Sequence, residues 1–409
     1  MRNWTFLLLL PGLTLQTLAA KHVTVAQLEQ TLTVADGKHD AAVAKRLSEF
    51  ELTERLSDVR LVRLKAKLAG PLAQPALVVI ADSSAFLNLP SVDIPAGPAP
   101  SSAAQGAQLA MVFDYARKTI PKLPNFCATR ETTHFEDTPS IPHSDPREFS
   151  ISQPLHFVGL SRETVLYRNG SEIVDAGAGK NNRDDPLGFG LSTSGAFGPI
   201  LATVLADSSQ GKLVWSHWEH AQEGMRAVYR FEVPEQASHY TVTSPGAESA
   251  SQLVPAYHGE MGIDPADGTV LRLTMVAELK PTDPVAEAGI MVEYGSVEIG
   301  GKTYMCPVKS VARSLVRTVR REPPPKPAGP AVVLDSGSTM GPREIQLKDE
   351  DASQGALQLR VNDVLFKDYH LFRAEVRVLN GDDAKPEPNP PSPVPSAEPS
   401  SASESSPNY

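Results

Sequence analysis

The sequence is poor in the residues that most often announce a function. It has two cysteines in 409 residues, so a single disulfide is the most the chain can close on itself. Cations are outnumbered: 38 Lys and Arg against 48 Asp and Glu leave a net charge of −10, and a nucleic-acid partner, which needs a basic face, is not expected. Beyond the N-terminus no stretch stays apolar for ~18 residues, so no transmembrane span is expected in the mature chain. There is no Gly-x4-Gly-Lys-Ser/Thr loop, no Gly-x-Ser-x-Gly and no His-Glu-x-x-His. These absences remove the commonest signatures of phosphate-loop, serine-hydrolase and zinc-peptidase chemistry. No metal site and no cofactor is expected.

What the chain does have begins with MRNWTFLLLLPGLTLQTLAAKH. Arg2, an apolar core over 6–18 and small residues before Lys21 read as a secretory signal peptide over 1–20. A membrane anchor is the competing reading, but the run is short for a span and Pro11 interrupts it. No cysteine follows the expected cleavage point, so no lipid anchor is expected there. The mature protein is expected to be periplasmic or secreted.

Residues 21–89 carry a helical period. Thr24 is placed to cap a helix bearing Leu28, Leu32 and Val34, ended by Gly37. Apolar residues from Ala41 to Leu64 then recur at threes, fours and fives, as in one amphipathic helix, and "QPALVVIADSSAFLNLP" reads as a further short one. Residues 90–104 are a Pro/Ser/Ala linker. An amphipathic helix with Leu109, Val112, Phe113, Ala116 and Ile120 follows and closes at Pro121 and Pro124.

From about Asn125 the period shortens toward two. Asn169-Gly170 marks a two-residue hairpin. "AQEG" joins "KLVWSHWEH" to "MRAVYRFEV", "PAD" joins two more runs, and Gly300-Gly301 joins another pair. Strands joined in order by tight turns predict an antiparallel meander, interrupted by one helix over 194–205. A polar insert spans about 322–358. "LQLRVNDVLFKDYHLFRAEVRVL" resumes strand alternation, and 381–409 is a Pro/Ser-rich tail too apolar-poor to order. The fold class is therefore α+β: an N-terminal helical segment, an antiparallel sheet domain over 105–380 and a disordered tail.

A helix followed by a curved antiparallel meander in a secreted chain resembles the LolA/RseB-like half-barrel. The stretches "LPNFCATRETTHFED", "VPAYHGEMGIDPADGTVLRL", "VEYGSVEIGGKTYMCPVKSVARS" and "LFKDYHLFRAEVRV" resemble an uncharacterised family of bacterial secreted proteins that shares this plan. The resemblance implies a sheet with helices on one face, cradling a lipid or a lipidated or apolar ligand on its concave side. It supplies no catalytic residue.

Cys127 has three readings: a nucleophile, half of a disulfide with Cys306, or a small buried residue. His134 lies an odd number of positions away, so in a strand the two point to opposite faces. The same parity separates His217 from His220, which rules out a shared ion, and Trp215 from Trp218. "VVLDSGST" resembles the catalytic loop of aspartic peptidases, with Asp335 as its candidate, but only one copy occurs where a carboxylate pair is required. Lys309, Arg313, Arg317 and Arg321, spaced by four, form a basic stripe that could touch anionic lipid or an acidic partner. The expected function is a non-catalytic binding protein for an apolar or lipidated ligand. The alternatives are an envelope sensor or assembly protein with a protein partner and, more remotely, a peptidase acting through Asp335.

Overall fold

Local chemistry sets the first elements. The structure, a computed structural model, describes residues 20–34, 39–68, 70–139, 152–174, 196–222, 224–244, 251–280, 282–317 and 356–372. Helix α1 (Val25–Val34) opens on a reciprocal capping box: Gln27 N donates to Thr24 Oγ1 at 3.2 Å, and Thr24 N donates to Gln27 Oε1 at 2.9 Å. The expected long helix is instead α2 (Asp40–Ser48), a short strand β2 (Phe50–Leu52) and α3 (Asp58–Lys65). The spacing of five at Leu47 and Leu52 breaks the helical stripe. Phe50 and Leu52 then bury on alternate positions, and β2 pairs in parallel with β1 (Lys21–Val23). Helix α4 (Ala73–Ser83) starts on the Asp40 carboxylate, which accepts from Leu72 N and Ala73 N at 2.8 and 2.9 Å. Leu28, Leu47, Leu64 and Leu77 form the core of this helical layer.

The remaining strands are β3 (Phe126–Thr138), β4 (Gln153–Arg168), β5 (Ser171–Val174), β6 (Lys212–Ala221), β7 (Gly224–Val233), β8 (Val242–Ser244), β9 (Ser251–Leu253), β10 (Tyr257–Ile263), β11 (Val270–Ala277), β12 (Val285–Ile299), β13 (Lys302–Arg317) and β14 (Leu357–Leu371). Ten of them form one antiparallel sheet in the order β5-β4-β3-β14-β13-β12-β11-β10-β7-β6, which does not close on itself, while β8 and β9 pair separately. The expected hairpins form at Asn169-Gly170, between β6 and β7, between β10 and β11, and at Gly300-Gly301. The order is not a simple meander. The last described strand, β14, sits between β3 and β13 and joins two wings of the sheet.

One face of the sheet, here the front, packs on α5 (Ser102–Thr119) and α6 (Pro199–Ser208). Val112, Leu201, Val204 and Leu205 meet Tyr229, Met261, Leu273 and Val292 there. Phe113 is exposed because it lies about 100° round the helix from Val112. Phe197 stacks edge-on to Phe126 at 5.3 Å and to Phe366 at 5.1 Å, tying the turn before α6 to β3 and β14. Tyr229 Oη donates to Gln108 of α5 at 2.6 Å. Asp207 at the end of α6 is fully buried and accepts from Tyr257 Oη at 2.8 Å and His239 N at 2.9 Å.

The back face carries the helical layer. Ala85 and Phe86, just past α4, pack on Met291, Val311 and Val361. The residues between the two layers form an anchored strap. Arg60 of α3 binds Asp93 through Nε at 2.6 Å, and Trp218 Nε1 of edge strand β6 donates to Pro98 O at 2.9 Å. The strap passes Trp218 on its way from the back layer to α5, which starts at Ser102, inside the expected linker, with Ser101 Oγ accepting from Ala104 N at 3.3 Å. All described residues belong to one compact unit, Met1–Phe372, and no helix among them is long and apolar enough to cross a membrane.

Candidate functional site

The strand register lays a row of charged side chains across the back face, beneath the helical layer. Lys309 of β13 stands opposite Glu293 of β12, and Glu293 stands opposite Arg272 of β11. Arg272 faces Gly262 of β10. A Cβ at Gly262 would come within 2.4 Å of Arg226 Cδ, so the missing side chain lets Arg226 of β7 lie across β10. Arg226 in turn stands opposite Glu219 of β6. At the other end Asp363 of β14 lies 3.6 Å from Lys309 Nζ. The signs alternate for most of the row, as favourable cross-strand pairing requires.

The helical layer adds Arg55, Asp58 and Asp82. Arg55 Nη2 donates to Glu219 at 2.5 Å, with both side chains almost wholly buried. Asp58 lies 3.6 Å from Arg226. Lys309 Nζ donates to Asp82 Oδ1 at 2.5 Å, and Arg272 Nη2 donates to the Ala85 carbonyl at 2.8 Å. Between the layers remains a cavity of about 260 Å³, lined by Arg55, Asp58, Asp82, Arg226, Arg272 and Lys309 and by Leu61, Val62, Met291 and Glu293.

The pairing inside this cavity is incomplete. Arg272 is only 6% exposed, yet its hydrogen bond goes to a neutral carbonyl rather than to a carboxylate. Asp82, 3% exposed, uses one oxygen on Lys309, while Oδ2 has no hydrogen-bond partner. Arg55 Nε is likewise buried without one. Lys309 and Arg272 both turn to the helical layer, and the Glu293 carboxylate between them lines the cavity. Buried polar groups in this condition carry a desolvation penalty that a ligand or ordered water can relieve.

Protonation follows the same geometry. Burial alone would push the Glu219 carboxyl up, but Arg55, His217 and Arg226 bring it down to about 2. Burial, reinforced by Glu293 and Glu219, pushes Asp58 up to about 6 against the pull of Arg226 and Arg55. Burial also raises Asp82, against the attraction of Lys309 and with the help of Asp363 and Glu293. Burial disfavours the charge on Lys309, but the surrounding carboxylates of Asp82, Asp363 and Glu293 outweigh it and keep the ammonium protonated.

The residues singled out from the sequence are scattered relative to this site. The basic stripe lies on a strand, not a helix. Lys309 is turned between the layers onto Asp82, Arg313 pairs with Glu287, Arg317 ends β13, and Arg321 lies outside the described residues. Asp335 also lies outside them, as do residues 1–19 of the expected signal peptide, most of the 322–358 insert and the 381–409 tail.

Cys127 and Cys306 are both free. Strand β14 separates β3 from β13, which sets the two about 10 Å apart, beyond bridging reach. They also face opposite ways: Cys306 belongs to the front core, while Cys127 alternates with the front-facing Phe126 and Ala128. His134 faces the front, bonded to Asn362 and Ser161 at 2.8 and 3.0 Å, and so points away from Cys127. A bulge between Trp215 and His217 restores both tryptophans to one face, where their rings meet edge-on at 4.8 Å, correcting the simple parity expectation. His217 and His220 stay on opposite faces. Among the described residues no group of three or more His, Cys, Asp or Glu is placed to hold a metal.

Sequence reasoning passed over Arg55, Asp58, Asp82, Glu219, Arg226, Arg272 and Glu293. A signal was present: Arg272 in "VLRLTMVA" and Arg226 in "MRAVYRFEV" are charges within apolar strand runs. Compared with known protein families, curated proteins and solved structures, the chain matches none.

Proposed function

We propose that this chain is an exported, non-catalytic binding protein of the bacterial envelope, built on a LolA/RseB-like plan, that holds a small polar ligand between its helical layer and its sheet. The observation that carries the reading is the interlayer cavity with its buried and incompletely paired charges. Ligand sites combine an enclosed space with a few convergent polar groups, and here those groups come from four strands and from the helical layer. A site for an acyl chain on the front face is less well supported, because α5 and α6 fill that face with their own apolar side chains.

Native mass spectrometry of the protein purified from the envelope of its host tests this reading. The expected result is a small polar adduct. An acyl-lipid adduct or a bare chain overturns it.

A second reading, a sensor or assembly protein with a protein partner, is favoured by strand β4. Its hairpin partner β5 covers only Val165–Arg168, while Phe157 and Leu160, earlier on the strand, are exposed. An edge of this length with no strand partner among the described residues is a template for another strand. A stoichiometric protein in the same spectrum is the result that supports this alternative.

A further inference from the structure

The chemistry of the cavity narrows the ligand, on the reading that the cavity is the ligand site. We propose that it takes a compact zwitterion, a free amino acid or an amine-acid of similar size, with the carboxylate on Arg272 and Arg55 and the ammonium held by Glu293, Asp82 and Asp58.

Three observations lead there. The first is balance of charge. Arg55, Lys65, Arg226, Arg272 and Lys309 stand against Asp58, Asp82 and Glu293 in the lining, with Glu219 and Asp363 bridged directly behind. A site so balanced does not favour a phosphate or a polycation, either of which would leave a surplus of one sign buried.

The second is that groups of both signs lack partners. Arg272 has a carbonyl where a guanidinium finds a carboxylate. Arg55 Nε and Asp82 Oδ2 are buried and unbonded, and Glu293 stands between two cations that have both turned elsewhere. A simple anion would complete Arg272 and leave Glu293 and Asp82 as they are; a simple amine would do the reverse. A molecule bearing both groups completes both sets.

The third is size. A cavity of about 260 Å³ lies at or below the lower end of small-molecule sites and fits a single amino acid better than an extended chain. Val62, 48% exposed while lining the cavity, lies where the site meets solvent.

The test is isothermal titration calorimetry of the mature chain with each free amino acid, then with the N-acetyl and methyl-ester forms of any that bind. The expected result is binding of at least one amino acid, weakened tenfold or more by either block. Arg272→Gln is expected to abolish the tenfold preference for the free carboxylate. Should that variant fail to fold, Val62→Trp, at the half-exposed opening, is expected to block binding while the circular dichroism spectrum stays unchanged.

Equal affinity for the blocked forms, or unchanged binding in Arg272→Gln or in a folded Val62→Trp protein, overturns the inference. If no amino acid binds while the native mass spectrum still shows a small polar adduct, the zwitterion inference fails and the binding-protein reading stands. If neither is seen, both fail.

Discussion

Replacing Glu219 by Gln keeps the shape of the side chain and removes one negative charge from between two guanidiniums. Glu219 is 2% exposed, Arg55 and Arg226 are each 4% exposed, and Arg55 donates directly to the carboxylate. The lowering of Glu219 from 4.5 to about 2 corresponds to about 3 kcal/mol favouring the ionised, folded form. Breaking a buried ion pair by removing one partner costs about 3–5 kcal/mol, so the two routes agree. The sign is that of a depressed carboxylate: the contribution is fully present above pH 4.5 and is lost as pH falls toward 2.

Urea titration at pH 7 should therefore show Glu219→Gln shifted down by roughly 1 M. Tryptophan fluorescence is a suitable probe, because Trp215 and Trp218 share β6 with Glu219. Replacing both members of the pair, as in Arg55→Met with Glu219→Gln, should cost clearly less than the sum of the single changes, since no uncompensated partner remains from the pair. A single-variant loss below about 1 kcal/mol, or strict additivity in the double variant, would show the pair to be solvated and would refute the account of a dry layer interface.

Other outcomes follow from the same geometry. Because Asp58 is raised from 3.8 to about 6, its contribution is present below pH 3.8 and is lost as pH rises through 6; stability should fall by about 3 kcal/mol over that window, and Asp58→Asn should flatten the slope there. Gly289→Val should loosen the helical layer by about 1–3 kcal/mol, because a Cβ there lies 2.9 Å from the Phe86 ring; unchanged hydrogen exchange in α4 would contradict this. A thiol alkylator should add to Cys127 alone in the native protein and to both cysteines in urea, without prior reduction. Cys306 is buried and its thiol is pushed up to about 12, and two cysteines that stay unlabelled in urea until a reductant is added would instead reveal a disulfide.

What could be read from the sequence was mostly local. The capping box at Thr24, the Asn169-Gly170 hairpin and the burial of Val112 each follow from residues a few positions apart. The features that failed depend on distant partners. Residues 50–52 become a strand because β1 is there to pair with them. The two tryptophans share a face because of a bulge in β6 opposite β7. The cavity was hidden for the same reason in stronger form. Its charges stand on different strands and helices, and only the sheet order brings Lys309, Glu293, Arg272 and Arg226 into one row. Within each segment they look like isolated charges, and the spacing of four aligns Lys309 with Arg313 and Arg317 rather than with Asp82 across the layer.

The position of β14 has a consequence for how the chain reaches this state. His134 on β3 meets Asn362 on β14 across a sequence separation of 228 residues, and β14 alone connects β3 to β13. During synthesis, β3 emerges well before β14, and one long edge of β3 must wait unpaired until β14 has appeared. Closing so large a loop is slow, and a waiting strand edge is open to wrong partners. Truncation before residue 357 would therefore leave two half-sheets with exposed seams rather than a shorter version of the same protein, and assembly of the native sheet should behave as a late, all-or-none event.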